Sequence, residues 1–111
     1  EISTTSSTKI SHLKEDNSIE STAISPSDFG FEKASLKDLK GGEPEENASI
    51  IKNILDNSDK GKKADIVILN AGAGIFVGGK SKNLEDGVQL ARESIESGAA
   101  FKKLNQLAAV K

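Results

Sequence analysis

The stretch ADIVILNAGAGIFVGG, residues 64–79, decides which fold the chain is given. An apolar run leads into four glycines, at positions 72, 74, 78 and 79. A dinucleotide-binding fingerprint places G-x-G-x-x-G between a strand and a helix, with an acidic residue about 20 positions further on. Here the third glycine comes one residue too late, and Glu93, at about the right distance, falls inside a helical pattern. We therefore interpret the match as weak.

The alternative is that the whole stretch is one buried helix, whose small residues let neighbouring elements approach closely. The β-branched residues Ile66, Val67 and Ile68 favour a strand, and each glycine in a helix costs about 1 kcal/mol relative to alanine. Local propensity therefore favours a strand followed by a turn. Packing overrides such preferences easily, so the residues alone leave both possibilities open.

Residues 1–30 are predicted to form a polar loop and a β-hairpin. The opening EISTTSST is small and rich in hydroxyl groups, as is typical of a loop. Two arms, KISHLK and SIESTAIS, flank Glu15-Asp16-Asn17, and Pro26 ends the second arm because proline cannot donate to a strand ladder. Alternation predicts one half-buried face, made of Ile10, His12, Ile19, Thr22 and Ile24.

Residues 31–111 are predicted to be mainly helical. A short amphipathic segment, ASLKDLK, precedes a glycine pair, and Pro44 then suits the first position of a helix over about 44–56. Acidic residues follow it, where the helix dipole favours negative charge. A further helix is expected over 84–97, capped by Asn83 and ended by Gly98, and the segment AAFKKLNQLAAV should form a terminal helix.

Composition excludes several classes of protein. The net charge of −2 is spread over interspersed acids and bases, so neither nucleic acid nor a membrane surface is an expected partner. The 111 residues contain no cysteine, which excludes disulfides and fits a cytoplasmic protein, and no apolar run is long enough to span a bilayer. The chain contains no methionine and begins Glu1-Ile2-Ser3, so we expect it to be a piece of a longer protein.

Four blocks in register give the chain a family resemblance. EIS, GGEPEENASIIKNIL, ILNAGAGIFVGG and LEDGVQLARESIESGAAFKKLNQL, in this order and spacing, resemble the C-terminal part of the anthranilate phosphoribosyltransferase family. The resemblance covers residues 1–111 but only about the last third of a family member. It implies an α/β fold of the nucleoside phosphorylase/phosphoribosyltransferase type, here a strand pair or hairpin followed by about four helices. By this analogy residues 63–79 are helical, against local propensity.

The resemblance also implies an activity. The family transfers the phosphoribosyl group of phosphoribosyl pyrophosphate to anthranilate and releases pyrophosphate, in tryptophan biosynthesis. Mg²⁺ eases such a departure by neutralising the oxygens of the leaving group. Glu1 matches the second member of the family's metal-binding Asp-Glu pair, and it is the one residue to which a role, as a Mg²⁺ ligand, carries over. The other interpretation of Glu1 is a solvated acid without a metal.

No catalytic or substrate-binding residue is predicted within the chain. Nothing in the chain resembles the family's phosphate-binding loop. Family members form a homodimer through a small helical domain, which lies outside this chain. We therefore expect the chain alone to be inactive, and to associate or be partly disordered without the rest of the enzyme. The sole histidine, His12, has no partner at a diagnostic spacing, and Glu43, Glu45 and Glu46 are explained by the start of a helix.

Three other functions stay open at this point. A pyrimidine nucleoside phosphorylase has a similar fold and a nucleoside as donor, and sequence outside this chain would distinguish it. A non-catalytic interaction module needs no catalytic loops at all. An NAD-binding protein would require the glycines of residues 72–79 to follow a true strand.

Overall fold

The computed structural model describes all residues from 1 to 111. Two antiparallel strands are followed by a 3₁₀ turn and five helices, which confirms the predicted order of a strand pair and then helices. The elements are β1 Thr8–Leu13, β2 Ile19–Ile24, the 3₁₀ turn Pro26–Phe29, α1 Leu36–Leu39, α2 Pro44–Leu55, α3 Lys62–Val77, α4 Leu84–Glu96 and α5 Ala99–Ala108.

The glycine-containing stretch is a continuous helix, α3. A strand followed by a turn, which local propensity favours, is therefore wrong, and the helix implied by the family resemblance is confirmed. The helix ends where the Gly78 N–H donates to the Gly74 carbonyl, 2.9 Å away, and where Gly79 adopts a φ of +77°. The backbone amides of α3 are used inside the helix, so its glycines form no loop that could cradle a phosphate.

Packing between α3 and α4 explains why the helix forms against propensity. These two helices make the most extensive contact in the chain. A Cβ placed on Gly72 would lie 2.6 Å from the Cα and the backbone nitrogen of Val88, and one on Gly87 would collide with the Gly72 carbonyl oxygen. The two backbones thus meet at a pair of glycines. A side chain at either position would force the helices apart.

The core cluster includes Val88, which lies at this contact. Leu69 is fully buried, and the Arg92 guanidinium lies 4.5 Å from the centroid of the Phe31 ring, which it helps to cover. The Arg92 side chain also donates a hydrogen bond of 3.2 Å to the Phe29 carbonyl. The nine buried residues of the core cluster are Ile2, Phe31, Ile54, Ala64, Ile68, Leu69, Val88, Ala91 and Ile95.

The hairpin confirms the predicted strands and corrects one face assignment. Thr8 is opposite Ile24 and Ile10 is opposite Thr22 on the inner face, where Ile10 and Ile24 pack against the core. Ile19, predicted to share that face, is paired with Leu13 on the outer face and is 71% exposed. Ile19 lies an odd number of positions from Thr22 and Ile24 in the same strand, and such residues point to opposite faces.

Helix ends follow the predicted local chemistry. The Asn83 side chain accepts a hydrogen bond of 2.8 Å from the Asp86 N–H at the start of α4, and Gly98, after its end, has a φ of +81°. Pro44 is the first residue of α2, as predicted.

No helix is both long and apolar enough to cross a membrane. The radius of gyration, 15.1 Å, exceeds the roughly 13 Å expected for a compact domain of this size, so the chain is elongated.

Candidate metal-binding segment

The segment that carries Glu1 is fixed to the middle of α3 by one side chain, Asn70. The Ile2 N–H donates a hydrogen bond of 2.8 Å to Asn70 Oδ1, and Asn70 Nδ2 donates one of 2.8 Å to the Ile2 carbonyl. The same Nδ2 donates to the Ile66 carbonyl, one turn earlier, at 3.0 Å. Ile2 itself is buried in the core cluster, while Glu1 is exposed. The exposed carboxylate of Glu1 is therefore attached next to a backbone that is held in place.

The next three residues are anchored as well. The Ser3 N–H donates to Thr8 Oγ1 at 3.0 Å, which ties the segment to the first strand. The Ala34 N–H donates to the Thr4 carbonyl at 2.8 Å, and the Thr5 N–H donates to the Ser3 hydroxyl at 3.0 Å. The opening segment is a loop, as predicted, but its contacts with α3, β1 and Ala34 hold it in one place.

Thr4 is the one buried polar side chain of this segment. It is fully buried, and its hydroxyl has no hydrogen-bond partner within the chain. Buried hydroxyls are normally paired, since leaving one unpaired costs about 1–3 kcal/mol. Together with the bonds described above, the burial of Thr4 makes residues 2–4 part of the packed structure.

The donor set around Glu1 limits what metal chemistry the chain can support. No three His, Cys, Asp or Glu residues lie close enough together to hold a metal ion. Mg²⁺ needs fewer protein ligands than that, because it commonly takes one or two carboxylates and leaves its other positions to water and substrate phosphates. A single exposed carboxylate on an anchored backbone fits this ion as one ligand of a larger site.

Other residues weighed from the sequence lie apart from any such arrangement. The rings of His12 and Phe76 pack in a T-shaped arrangement, with 5.5 Å between their centroids. Glu43, Glu45 and Glu46 are exposed at the start of α2, where they form no metal cluster. The position of the three acids at the start of α2 is one that the helix dipole favours.

A groove next to the anchored segment has a partly apolar lining. It has a volume of about 570 Å³ and runs between the hairpin and the ends of α3 and α4 that face it. Its lining includes Ile2, the neighbour of Glu1, together with Ile10, Phe29, Phe76 and Leu84. Eight of its 16 lining residues are hydrophobic, and Lys14 and Glu20 among the others pair with each other at 3.0 Å. An exposed ion pair of this kind does not by itself indicate a catalytic centre.

Two carboxyl groups show how the electrostatic environment differs across the helices. Burial raises the pKa of Asp65, in the first turn of α3, above its ordinary value. The Ser35 backbone N–H and then its hydroxyl donate to Asp38 and lower the pKa of that carboxyl. These shifts are explained by the local structure of α1 and α3. They require no catalytic role.

The comparison with known families decides where the chain belongs. A family model described as "Glycosyl transferase family, a/b domain" matches residues 1–101. The chain belongs to this family. The match begins at Glu1 and runs through the hairpin, α3 and α4, so every contact described above lies inside it.

Its relatives are anthranilate phosphoribosyltransferases. The enzyme from Clostridium beijerinckii is 44% identical over 110 residues, which are 99% of this chain and 32% of that enzyme. The crystal structure of the Thermus thermophilus enzyme is 44% identical with a TM-score of 0.74, over 78% of this chain and 26% of that one. The chain thus spans about a third of the length of the relatives it matches.

The Saccharomyces cerevisiae enzyme matches at lower identity. Its structure in complex with 4-fluoroanthranilate has a TM-score of 0.78 at 26% identity, over 95% of this chain and 30% of that one. A variant of the same enzyme, solved with Mg bound, has a TM-score of 0.77 at 26% identity over the same shares of the two chains. The fold is therefore shared over nearly all of residues 1–111.

Sequence reasoning missed the residue that anchors the site. Asn70 lies 68 positions from Ile2, so no local pattern connects the two. One signal was present: Asn70 is the only strongly polar side chain between Asp65 and the end of α3. A polar residue inside an apolar helical stretch is expected to have a buried partner, and here that partner is the backbone of Ile2.

Proposed function

We propose that the chain is part of an anthranilate phosphoribosyltransferase. The longer enzyme would transfer the phosphoribosyl group of phosphoribosyl pyrophosphate to the amino nitrogen of anthranilate, with release of pyrophosphate, in tryptophan biosynthesis. The observation that carries the proposal is the 44% identity to the Clostridium beijerinckii enzyme over 99% of this chain. The relatives named above support this function over a pyrimidine nucleoside phosphorylase or a non-catalytic module.

The contribution of this chain to the reaction is one metal ligand on a rigid support. Glu1 would supply a carboxylate to Mg²⁺, as the second member of an acidic pair whose other member lies outside these residues. The ion, when bound, supplies positive charge to the oxygens of the leaving pyrophosphate. A carboxylate whose backbone is already held in place needs less rearrangement when the substrate binds.

The rest of the machinery belongs to other parts of the enzyme. This chain spans about a third of its relatives, and the phosphate-binding and acceptor-binding loops are proposed to lie in the remainder. We further propose that the enzyme is cytoplasmic and dimerises through a small helical domain that is likewise outside this chain. Residues 1–111 alone should therefore show no turnover.

An assay of the longer protein that contains this chain tests the proposal. With phosphoribosyl pyrophosphate, anthranilate and Mg²⁺ we expect consumption of anthranilate and release of pyrophosphate. The 111-residue chain, assayed in parallel, should give neither. Phosphorolysis of a pyrimidine nucleoside by the longer protein, without consumption of anthranilate, would contradict the proposal.

A graft tests whether this chain itself can serve that function. The matching third of the Clostridium beijerinckii enzyme is replaced by residues 1–111, and we expect the chimera to retain transferase activity. The same chimera with Glu1→Gln should require a higher Mg²⁺ concentration, because the amide is a weaker ligand than the carboxylate. A chimera that folds and binds anthranilate but never turns over would argue against the assignment.

A further inference from the structure

We propose that Asn70 is a positioning residue for the metal-ligating carboxylate of Glu1. The inference rests on the proposed function, because it assumes that Glu1 binds Mg²⁺. It concerns a residue on α3 whose side chain reaches the opening segment and which is not itself a ligand. Three hydrogen bonds of 2.8, 2.8 and 3.0 Å carry it.

The first step is that the Asn70 amide has one orientation. Its Oδ1 accepts from the Ile2 N–H, and its Nδ2 donates to the carbonyls of Ile2 and Ile66. Exchanging oxygen and nitrogen would place a donor against an N–H and an acceptor against two carbonyls. Only the observed orientation satisfies all three groups, and the bond to Ile66 fixes it to the preceding turn of its own helix.

The second step links this amide to Glu1. The peptide unit between Glu1 and Ile2 is planar, so it holds the Cα of Glu1 in the same plane as the Ile2 N–H. When Asn70 binds that N–H, it fixes the plane on which the Cα of Glu1 lies. The buried side chain of Ile2 holds the other end of the unit in the core. The position of the Glu1 Cα relative to α3 is thereby set, and little beyond the rotations of Glu1 itself remains free.

The third step is that the chain contains a matched pair of hydrogen bonds elsewhere. Asn47, on α2, accepts from the Gly42 N–H at 2.8 Å and donates to the Gly42 carbonyl at 2.8 Å. The chemistry is the same as that between Asn70 and Ile2, but Gly42 adjoins Glu43, at the start of α2, and is exposed. Loss of the Asn47 bonds therefore reports the general cost of losing such a pair, without an effect on Glu1.

The experiment measures binding of Mn²⁺, as a probe for Mg²⁺, by electron paramagnetic resonance of the full-length enzyme that contains this chain. We expect Asn70→Leu to weaken Mn²⁺ binding about 10-fold, the lower end of what losing an outer partner of a metal ligand costs. Asn47→Ala should leave Mn²⁺ binding unchanged. Asn70→Gln, which keeps the amide but displaces it, should weaken binding less than Asn70→Leu and serves if the leucine variant does not fold.

A double variant separates positioning from a general loss of structure. If Asn70 acts through Glu1, then Glu1→Gln with Asn70→Gln should bind Mn²⁺ no more weakly than Glu1→Gln alone. Additive losses would overturn the inference, as would normal Mn²⁺ binding by a folded Asn70→Leu variant. Normal binding by Glu1→Gln would instead remove the proposed metal role of Glu1, whatever the Asn70 variants do.

Discussion

The β-hairpin packs on the same core as the contact between α3 and α4, but much less tightly. At Gly72 the two helices meet backbone to backbone, so that even one added methyl group would collide with Val88. In the hairpin one face packs on the core while the other carries Leu13 and Ile19 in contact with water. The helix contact has no room for an added side chain, whereas side chains on the outer strand face have no neighbours in the core to fit against. The sensitivity of the two regions to substitution should differ accordingly.

The largest effect is expected at Leu69, the fully buried side chain of α3. Leu69→Ala leaves a gap that its neighbours can refill only in part, and should lower the free energy of unfolding by about 3–5 kcal/mol. Chemical denaturation of the longer protein that contains this chain measures it. A loss below about 1 kcal/mol would mean that the helices can close around the gap, contrary to a rigid contact.

The next effect concerns two glycines of the same helix, Gly72 and Gly74. Gly72→Ala should cost about 3 kcal/mol, because the methyl group meets the backbone of Val88, which cannot move aside as a flexible side chain can. Gly74→Ala is the matched control: nothing lies within 4 Å of its added Cβ. Alanine there should stabilise the helix by about 0.5–1 kcal/mol. Equal effects at both positions in the same denaturation assay would disprove the close backbone contact.

How much of this fold the sequence could predict depends on the range of the interaction responsible. The start of α2 and both ends of α4 were predictable because Pro44, Asn83 and Gly98 act within one turn of themselves. The helical conformation of α3 could not be predicted from local sequence, because Ile66 and its β-branched neighbours favour a strand. The contact that decides it, between Gly72 and Val88, joins two helices. Only the family resemblance gave the right answer there.

The candidate site shows the same limit. Glu1 became a candidate ligand only through the resemblance, since a lone acid carries no signal of its own. The hydrogen bonds that fix its backbone join Ile2 to Asn70, and nothing near either residue in sequence predicts the pairing. The face predicted for Ile19 was wrong for a different reason: Ile19 is an odd number of positions from Thr22 and Ile24, so regular alternation along β2 already excludes it from their face.

A small effect is expected on the outer face of the hairpin. In the longer protein that contains this chain, Ile19→Thr should change the free energy of unfolding by less than about 0.5 kcal/mol, because the side chain is exposed and threonine suits a strand. Ile10→Thr, on the inner face, is the control and should cost more. A large loss for Ile19→Thr would show that another part of the longer protein covers this face.

The smallest expected effect is on how the free energy of unfolding changes with pH, which should differ between the two regions. Burial raises the pKa of Asp65 in α3 above its usual 3.8, whereas hydrogen bonds from the Ser18 hydroxyl and N–H lower the pKa of Asp16 in the hairpin turn. The folded state thus binds a proton at Asp65 more readily than the unfolded state, so this contribution is complete below the unfolded pKa and is lost as the pH rises through the folded one. The contribution of Asp16 is present above its unfolded pKa and is lost as the pH falls through the folded one.

Two neutral variants measured against pH therefore diverge. Asp65→Asn should gain stability over the unsubstituted protein as the pH rises from about 4 through the folded pKa of Asp65, by a few tenths of a kcal/mol, because water screens a partly buried carboxyl. Asp16→Asn should lose stability relative to the unsubstituted protein as the pH rises through the same acid range. Denaturation at a series of pH values measures both differences. If both variants shifted in the same direction, the buried helix contact and the exposed hairpin would not differ in the electrostatic environment they give to a carboxylate.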